Sequence, residues 1–147
     1  MRIVNNINKE KWNEFIGTQK QSQFLQSWEW GELAEKEGAK ILRVGIEDAG
    51  ELVAVASLVK KNIFGFNYWF CPRGPVVSYK EVDKVIKFLF DEIEKLAKQE
   101  KIIFLRFEPL LEIANWKLQI EKTIDIEPNK TAIIDLNRNE DELLNAM

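Results

Sequence analysis

Residues 52–59 read Leu-Val-Ala-Val-Ala-Ser-Leu-Val, a run that is apolar on both faces of an extended strand and that constrains the fold most. Such a strand needs apolar cover on both sides, because successive side chains point to opposite faces of a sheet. The preceding residues, 40–47, alternate instead, with Arg43 and Glu47 on the polar face. The Asp-Ala-Gly sequence at 48–50 favours a hairpin turn between the two segments. The chain is therefore predicted to contain a sheet whose central strand is covered on both sides.

Two amphipathic helices are predicted before the first strand. Asn8 can cap a helix that ends near Gly17, and Ser27 can cap a second helix that ends near Gly38. The residues that share the apolar face of the first helix are Trp12, Phe15 and Ile16, and those of the second expected to face inward are Trp30, Leu33 and Ala34.

A third helix is the clearest in the sequence. Ser78 and Glu81 have the spacing of a capping box, in which the serine caps the helix and the glutamate lies three residues on. Apolar residues then recur at helical spacing over about four turns. They are Val82, Val85, Ile86, Leu89, Phe90, Ile93, Leu96 and Ala97.

Further strands are expected on either side of this helix. A short aromatic strand follows Asn67 and stops at Pro72, residues 102–107 form a buried strand, and residues 131–136 form a last strand. Through residue 107 the order is helix, helix, strand, strand, strand, helix, strand. This order predicts an α/β or α+β domain with a mixed sheet flanked by helices.

Composition limits the classes of function. At 147 residues the chain fits one domain, and a net charge of −3 argues against a surface dominated by nucleic-acid binding. The single cysteine, Cys71, cannot form an internal disulfide and is predicted to be a small buried hydrophobe in a reducing compartment. No stretch approaches the roughly 18 consecutive apolar residues of a membrane span.

The end of the strand at residues 102–107 carries candidate chemistry. Its period of two places Arg106 and Glu108 on the same face, and Pro109 biases Glu108 to an extended conformation. The chain has no histidine, so a carboxylate is the candidate general base. Glu108 is therefore the candidate catalytic residue and Arg106 a candidate substrate-binding residue; the alternative is an ion pair at the end of a strand.

Two earlier motifs add candidate binding residues. Arg73 lies between Pro72 and a Gly-Pro turn, where its guanidinium suits a phosphate or a carboxylate; it could instead cover a neighbouring carbonyl. Trp30, near a helix start, could stack on a sugar or a base, or lie in the core. Gly31 costs about 1 kcal/mol within a helix relative to alanine, which suggests a close approach by backbone or ligand.

Four motifs in order carry a resemblance to a known family. They are Phe-Leu-Gln-Ser-Trp-Glu-Trp-Gly at 24–31, Phe-Cys-Pro-Arg-Gly-Pro-Val at 70–76, Phe-Leu-Arg-Phe-Glu-Pro at 104–109 and Thr-Ala-Ile-Ile-Asp-Leu at 131–136. With them the chain resembles the amino-terminal half of the FemABX family of peptidoglycan bridge aminoacyltransferases. The resemblance implies that residues 1–136 form the first of two tandem GNAT-like domains, and that residues 137–147 begin a helix leading to the second.

The resemblance also implies a reaction and its partners. An amino acid would pass from aminoacyl-tRNA, a co-substrate rather than a cofactor, to the stem peptide of a UDP-linked or lipid-linked peptidoglycan precursor. The second domain would supply the contact with aminoacyl-tRNA, no DNA would be bound, and the protein would be cytoplasmic, with peripheral association at the inner face of the membrane. This chain alone is expected to be inactive.

Two alternative functions remain open. One is a noncatalytic precursor-binding module. The other is a GNAT-type N-acyltransferase that uses acyl-CoA, although the glycine-rich loop that usually holds the coenzyme A pyrophosphate does not occur in the sequence.

Overall fold

A computed structural model of the chain describes residues 1–20, 22–78, 81–110 and 121. The described residues form a mixed sheet with helices on both faces. In chain order the elements are β1 (Arg2–Val4), α1 (Lys9–Thr18), a 3₁₀ turn (Phe24–Gln26), α2 (Trp28–Lys36), β2 (Lys40–Asp48), β3 (Glu51–Ile63), β4 (Phe66–Cys71), β5 (Val76–Val77), α3 (Val82–Gln99) and β6 (Ile102–Phe107).

The long strand β3 organises the sheet. The strand order is β1-β2-β3-β4-β6, and β5 pairs with β3 beyond the end of β4. Among the described strands, only β4 and β6 run parallel, because α3 carries the chain back across the sheet between them. The carboxyl ends of β4 and β6 therefore meet at the same end of the sheet.

Two apolar clusters cover β3, as predicted for residues 52–59. On one face Ala54, Ala56 and Leu58 pack against α3, whose Leu89 is fully buried. On the other face Val55 packs with α1 residues that include Trp12. The predicted mixed sheet flanked by helices, with its central strand covered on both sides, is confirmed.

Glu47 shows how the second face is closed. Its carboxylate is nearly buried, and it accepts hydrogen bonds from Lys11 Nζ at 2.6 Å and from Arg2 Nη2 at 2.7 Å. The hydrogen bond from Lys11, followed by that from Arg2, holds the pKa of Glu47 below its ordinary value. The predicted polar face of β2 therefore contacts α1.

Several sequence predictions of local structure are confirmed. Asn8 Oδ1 accepts from the backbone N–H of Lys11 at 2.8 Å, and Ser27 Oγ accepts from that of Trp30 at 3.2 Å, so both residues cap their helices. The apolar stripe of α3 faces the core. None of the helices in the described residues is long and apolar enough to cross a bilayer.

Other predictions were wrong. The predicted capping box does not form. Helix α3 begins after Glu81, whose backbone is left-handed, and the N–H of Ser78 instead donates to the carbonyl of Val53, which extends β5. Leu33 is 46% exposed because Gly31, two residues earlier and so on nearly the opposite face of the helix, is the buried residue of α2. The strand β6 is only partly buried, since Ile103 and Phe104 are exposed.

The sequence analysis missed two short strands, β1 and β5, which have three and two residues. Strands this short leave little period-two signal. The predicted last strand at 131–136 and the predicted helix start at 137–147 lie outside the described residues.

Candidate functional site

The carboxyl ends of β4 and β6 bring two of the sequence motifs together. Cys71 of β4 is the register partner of Phe107 of β6, and the N–H of Glu108 donates to the carbonyl of Cys71 at 3.2 Å. Residues 72–74, which follow β4, and residues 106–108, at the end of β6, thus form a single edge, which we call the carboxyl edge. Ligands of α/β sheets commonly bind beyond strand ends of this kind.

Arg106 and Glu108 form an ion pair within the carboxyl edge. Arg106 Nη2 lies 3.3 Å from Glu108 Oε1, and the two side chains are only 12% and 13% exposed. The guanidinium of Arg106 also lies 6.0 Å from the centre of the Phe70 ring. The predicted proximity of Arg106 and Glu108 is confirmed. Loss of either side chain would remove one member of this largely buried ion pair.

Arg73 belongs to the turn that follows β4. Its backbone is left-handed, with φ of 49°, and its side chain is half-buried. An arginine in this conformation is uncommon, so the turn must be held by its surroundings. The structure therefore places Arg73 at the carboxyl edge with Arg106 and Glu108.

Gln26, a fully buried residue, holds this turn. Its Oε1 accepts from the N–H of Ser57 on β3 at 2.9 Å, and its Nε2 donates to the carbonyl of Pro72 at 2.5 Å. Ser57 lies between the part of β3 that pairs with β5 and the part that pairs with β4. The glutamine amide thus occupies a gap in the sheet and ties the 3₁₀ turn to the carboxyl edge.

Gly74 makes room for Gln26. A Cβ at Gly74 would lie 2.6 Å from Gln26 Cδ and 2.8 Å from Cys71 Sγ, closer than side chains tolerate. The first two sequence motifs are therefore one packed unit. Cys71 is buried as predicted, and burial raises the pKa of its thiol, which does not suit a nucleophile.

Trp30, the fourth candidate, lies on the adjoining helix. Its ring packs edge-on against Phe24, with ring centres 5.4 Å apart, and the residue is half-buried. The structure thus brings Arg73, Arg106 and Glu108 to one edge. Trp30 is linked to that edge along the chain, because Gln26, four residues earlier, donates a hydrogen bond to Pro72.

The sequence analysis missed the roles of Gln26 and Arg43. The Arg43 guanidinium lies 4.2 Å from the Trp28 ring centre and pairs with Glu35 at 3.1 Å. It also lies against Gly31, where a Cβ would overlap Nη2 of Arg43. The close approach expected at Gly31 is therefore made by a side chain of β2. The one sequence signal for this contact was Gly31 itself, a glycine within a helix, together with the polar face of the strand that carries Arg43.

The chemistry available at the carboxyl edge is that of two guanidinium groups and a carboxylate. Within the described residues, no three histidine, cysteine, aspartate or glutamate side chains group as metal ligands do. The edge can bind anions through its arginines and accept a proton through Glu108.

Comparison with known proteins gives the family. The FemAB family model matches residues 7–139. The lipid II:glycine glycyltransferase of Staphylococcus aureus strain MRSA252 is 27% identical, and the match covers 95% of this chain and 37% of that protein. The chain thus spans well under half the length of the curated relatives it matches.

Solved structures show the fold. The crystal structure of FemX matches 77% of this chain and 28% of its own, with a TM-score of 0.68 and 24% identity. A ribosomal-protein-alanine N-acetyltransferase from Brucella melitensis biovar Abortus 2308 matches 90% of this chain and all of its own, with a TM-score of 0.58 and 18% identity. These likenesses confirm the GNAT-like mixed sheet flanked by helices. Since the family model matches most of its length, the chain belongs to the FemAB family.

Proposed function

We propose that this chain is the acceptor-binding domain of a cytoplasmic aminoacyltransferase that adds an amino acid to the stem peptide of a peptidoglycan precursor. Membership of the FemAB family supports this class of reaction, and the matched relatives are named lipid II:glycine glycyltransferases. The chain spans 37% of their length. We expect a second domain to supply the contact with aminoacyl-tRNA.

The observation that carries the proposal is that Arg73, in the turn after β4, shares the carboxyl edge with the ion pair of Arg106 and Glu108. A muropeptide precursor carries phosphate and carboxylate groups, and arginine binds both through paired N–H donors. Arg73 is proposed to bind such an anionic group. Arg106 is proposed to bind substrate and to hold Glu108 in place.

Glu108 is proposed to act as the general base. A side-chain ammonium has a reference pKa near 10.4 and must lose a proton before it attacks. Glu108 would accept this proton, and the neutral amine nitrogen would then attack the ester carbonyl of the aminoacyl-tRNA. A carbon–nitrogen bond forms, the ester carbon–oxygen bond breaks, and the departing tRNA oxygen takes the second proton that the amine nitrogen loses on becoming an amide. The reaction needs no redox cofactor.

Binding of the acceptor can be measured on this chain by titration calorimetry with a UDP-linked muropeptide. We expect Arg73→Ala to weaken binding at least tenfold, because a charge-assisted hydrogen bond contributes about 1.5–3 kcal/mol. Arg2→Ala is the matched control, since it removes the same charge from β1 at the opposite edge of the sheet. Equal affinities of the Arg73 and Arg2 variants would contradict the proposal.

Transfer tests Glu108 in the intact transferase. We expect Glu108→Gln to retain acceptor binding but to lower the transfer rate by about 10²- to 10⁴-fold, the usual contribution of a general base. Glu100→Gln is the control, because Glu100 pairs with Lys60 away from the carboxyl edge. A wild-type transfer rate in the Glu108 variant would remove it from the mechanism.

The runner-up is a noncatalytic module that binds the precursor only. The share of the relatives that the chain spans, 37%, is compatible with it. Precursor binding with no transfer by the intact protein, under conditions where a relative transfers, would favour the module. Tight binding of acetyl-CoA would instead favour an acyl-CoA-dependent N-acyltransferase.

A further inference from the structure

The hairpin between β3 and β4 ends in an apolar tip. Residues 63–66, here called the hairpin tip, contain three large apolar side chains, and Phe64 is 94% exposed. Ile63 and Phe66, which pair across the turn, are 47% and 57% exposed. Single exposed apolar residues are common, but three on one turn mark an interaction surface.

The backbone makes this choice of residue more unusual. Phe64 and Gly65 have φ of 50° and 86°, the pattern of a two-residue turn in which asparagine is preferred before glycine. A bulky side chain in the left-handed region destabilises the turn. A phenylalanine here is unfavourable both because its ring is exposed to solvent and because its backbone is left-handed. Such a combination is typical of functional positions.

The other hairpin of β3 provides an internal comparison. Ala49 and Gly50 have φ of 50° and 88°, so the two turns share one geometry. The Ala49 turn lies between Asp48 and Glu51 and has no large side chain. The two turns lie at opposite ends of β3. Only one end of this strand is therefore apolar.

Lysines surround the base of the hairpin tip. Lys40 and Lys60 are register partners, Lys61 follows on β3, and Lys101 precedes the residue of β6 that pairs with Asn67. Glu100 lies next to Lys101 and pairs with Lys60 at 2.9 Å. The apolar tip thus projects from a predominantly positive end of the sheet.

The hairpin tip is also braced from within. Asn62 Nδ2 donates to Asn67 Oδ1 at 3.0 Å, and Asn62 Oδ1 accepts from the N–H of Gly65 at 3.1 Å. These bonds fix the turn, so its apolar side chains can bind a partner at little cost in conformational entropy.

We propose that the hairpin tip inserts into the interface of an anionic membrane, with the lysines at its base contacting lipid headgroups. An apolar tip with flanking positive charge is the combination that binds such an interface. The inference extends the proposed function by naming the part of the fold that contacts the membrane.

The position of the hairpin tip fits a lipid-linked acceptor. The tip and the carboxyl edge lie at opposite ends of β4, which has six residues. At about 3.3 Å per residue this strand is roughly 20 Å long. The carboxyl edge would stand at this height above the headgroups, which an extended peptide of about six residues can reach.

Vesicle co-sedimentation of the chain tests the inference without any precursor, so the result does not depend on the acceptor site. We expect binding to vesicles of phosphatidylglycerol and phosphatidylethanolamine, and little binding to phosphatidylcholine. Phe64→Asn should lower the partition coefficient at least tenfold, because the variant no longer buries an aromatic ring in the interface. Lys61→Gln should lower it about fivefold.

The asparagine variants also report on folding. Because asparagine suits the turn, Phe64→Asn should raise the melting temperature while it removes vesicle binding. Ala49→Asn is the matched control, and it should raise the melting temperature and leave vesicle binding unchanged. Vesicle binding by the Phe64 variant equal to wild type would overturn the inference. So would a wild-type chain that binds neither lipid mixture, or one that self-associates through Phe64 in gel filtration.

Discussion

The fully buried amide of Gln26 gives the sharpest test of how the fold positions the carboxyl edge. Gln26→Ala removes the acceptor of the Ser57 N–H and the donor to the Pro72 carbonyl at once. Neither group has another hydrogen-bond partner within the pairing of β3, β4 and β5, because Ser57 lies in the gap between the two paired stretches. The variant should therefore be destabilised although no charge and little apolar surface are lost.

The magnitude follows from the two unsatisfied groups. Each buried polar group left without a partner costs about 1–3 kcal/mol, so the pair should cost about 2–6 kcal/mol. Water entering the space left by the shortened side chain would lower this, and we expect about 3 kcal/mol. A loss of this size is a large part of the stability of an ordinary domain, which is about 5–15 kcal/mol.

Urea unfolding followed by tryptophan fluorescence measures this loss. Gln23→Ala, in the same segment, is the matched control, because Gln23 makes no capping hydrogen bond through its side chain. Gln26→Met separates the loss of packing from the loss of hydrogen bonds, since methionine fills the space without replacing either hydrogen bond. If Gln26→Ala changed the free energy of unfolding by less than about 1 kcal/mol, the assigned role of this amide would be wrong.

Three further predictions concern other parts of the fold. Gly17→Ala, whose added Cβ meets nothing within 4 Å, should stabilise the chain by roughly 0.5–1 kcal/mol through helix propensity. Gly31→Ala should stabilise it less, because the added Cβ must displace the Arg43 guanidinium from Trp28 and Glu35. Equal effects in thermal melts would contradict this. The buried thiol of Cys71, with its raised pKa, should react with a thiol reagent only after unfolding, so rapid modification of the native chain would oppose its burial. Because the pKa of Glu47 is lowered in the folded chain, its contribution to stability is present above its pKa in the unfolded chain and is lost as the pH falls. When the pH is lowered below about 5, the melting temperature of Glu47→Gln should therefore decrease less than that of wild type.

The helices and the central strand could be predicted because their signals are local. Asn8 and Ser27 cap helices through their own side chains, and residues 52–59 are apolar on both faces whatever their partners are. In contrast, the start of α3 depends on how Ser78 completes the pairing of β5 with β3. A capping pattern cannot reveal that tertiary contact.

The candidate site was partly predictable for the same reason. Arg106 and Glu108 are two residues apart on one strand, so their proximity follows from the period of a strand. The position of Arg73 on the same edge depends on the parallel pairing of β4 with β6, and the role of Gln26 depends on a gap in the sheet. Neither feature has a local pattern, since both arise from segments distant in sequence.

The most direct test of the central claim is a titration of the isotope-labelled chain with a UDP-linked muropeptide, followed by backbone amide NMR. The account predicts shift changes concentrated at Arg73, Gly74 and residues 106–108. Amides of the hairpin tip, at the other end of β4, should not change. Shift changes that leave the carboxyl edge untouched, or no change at a saturating concentration of the precursor, would contradict the claim that this edge binds the acceptor.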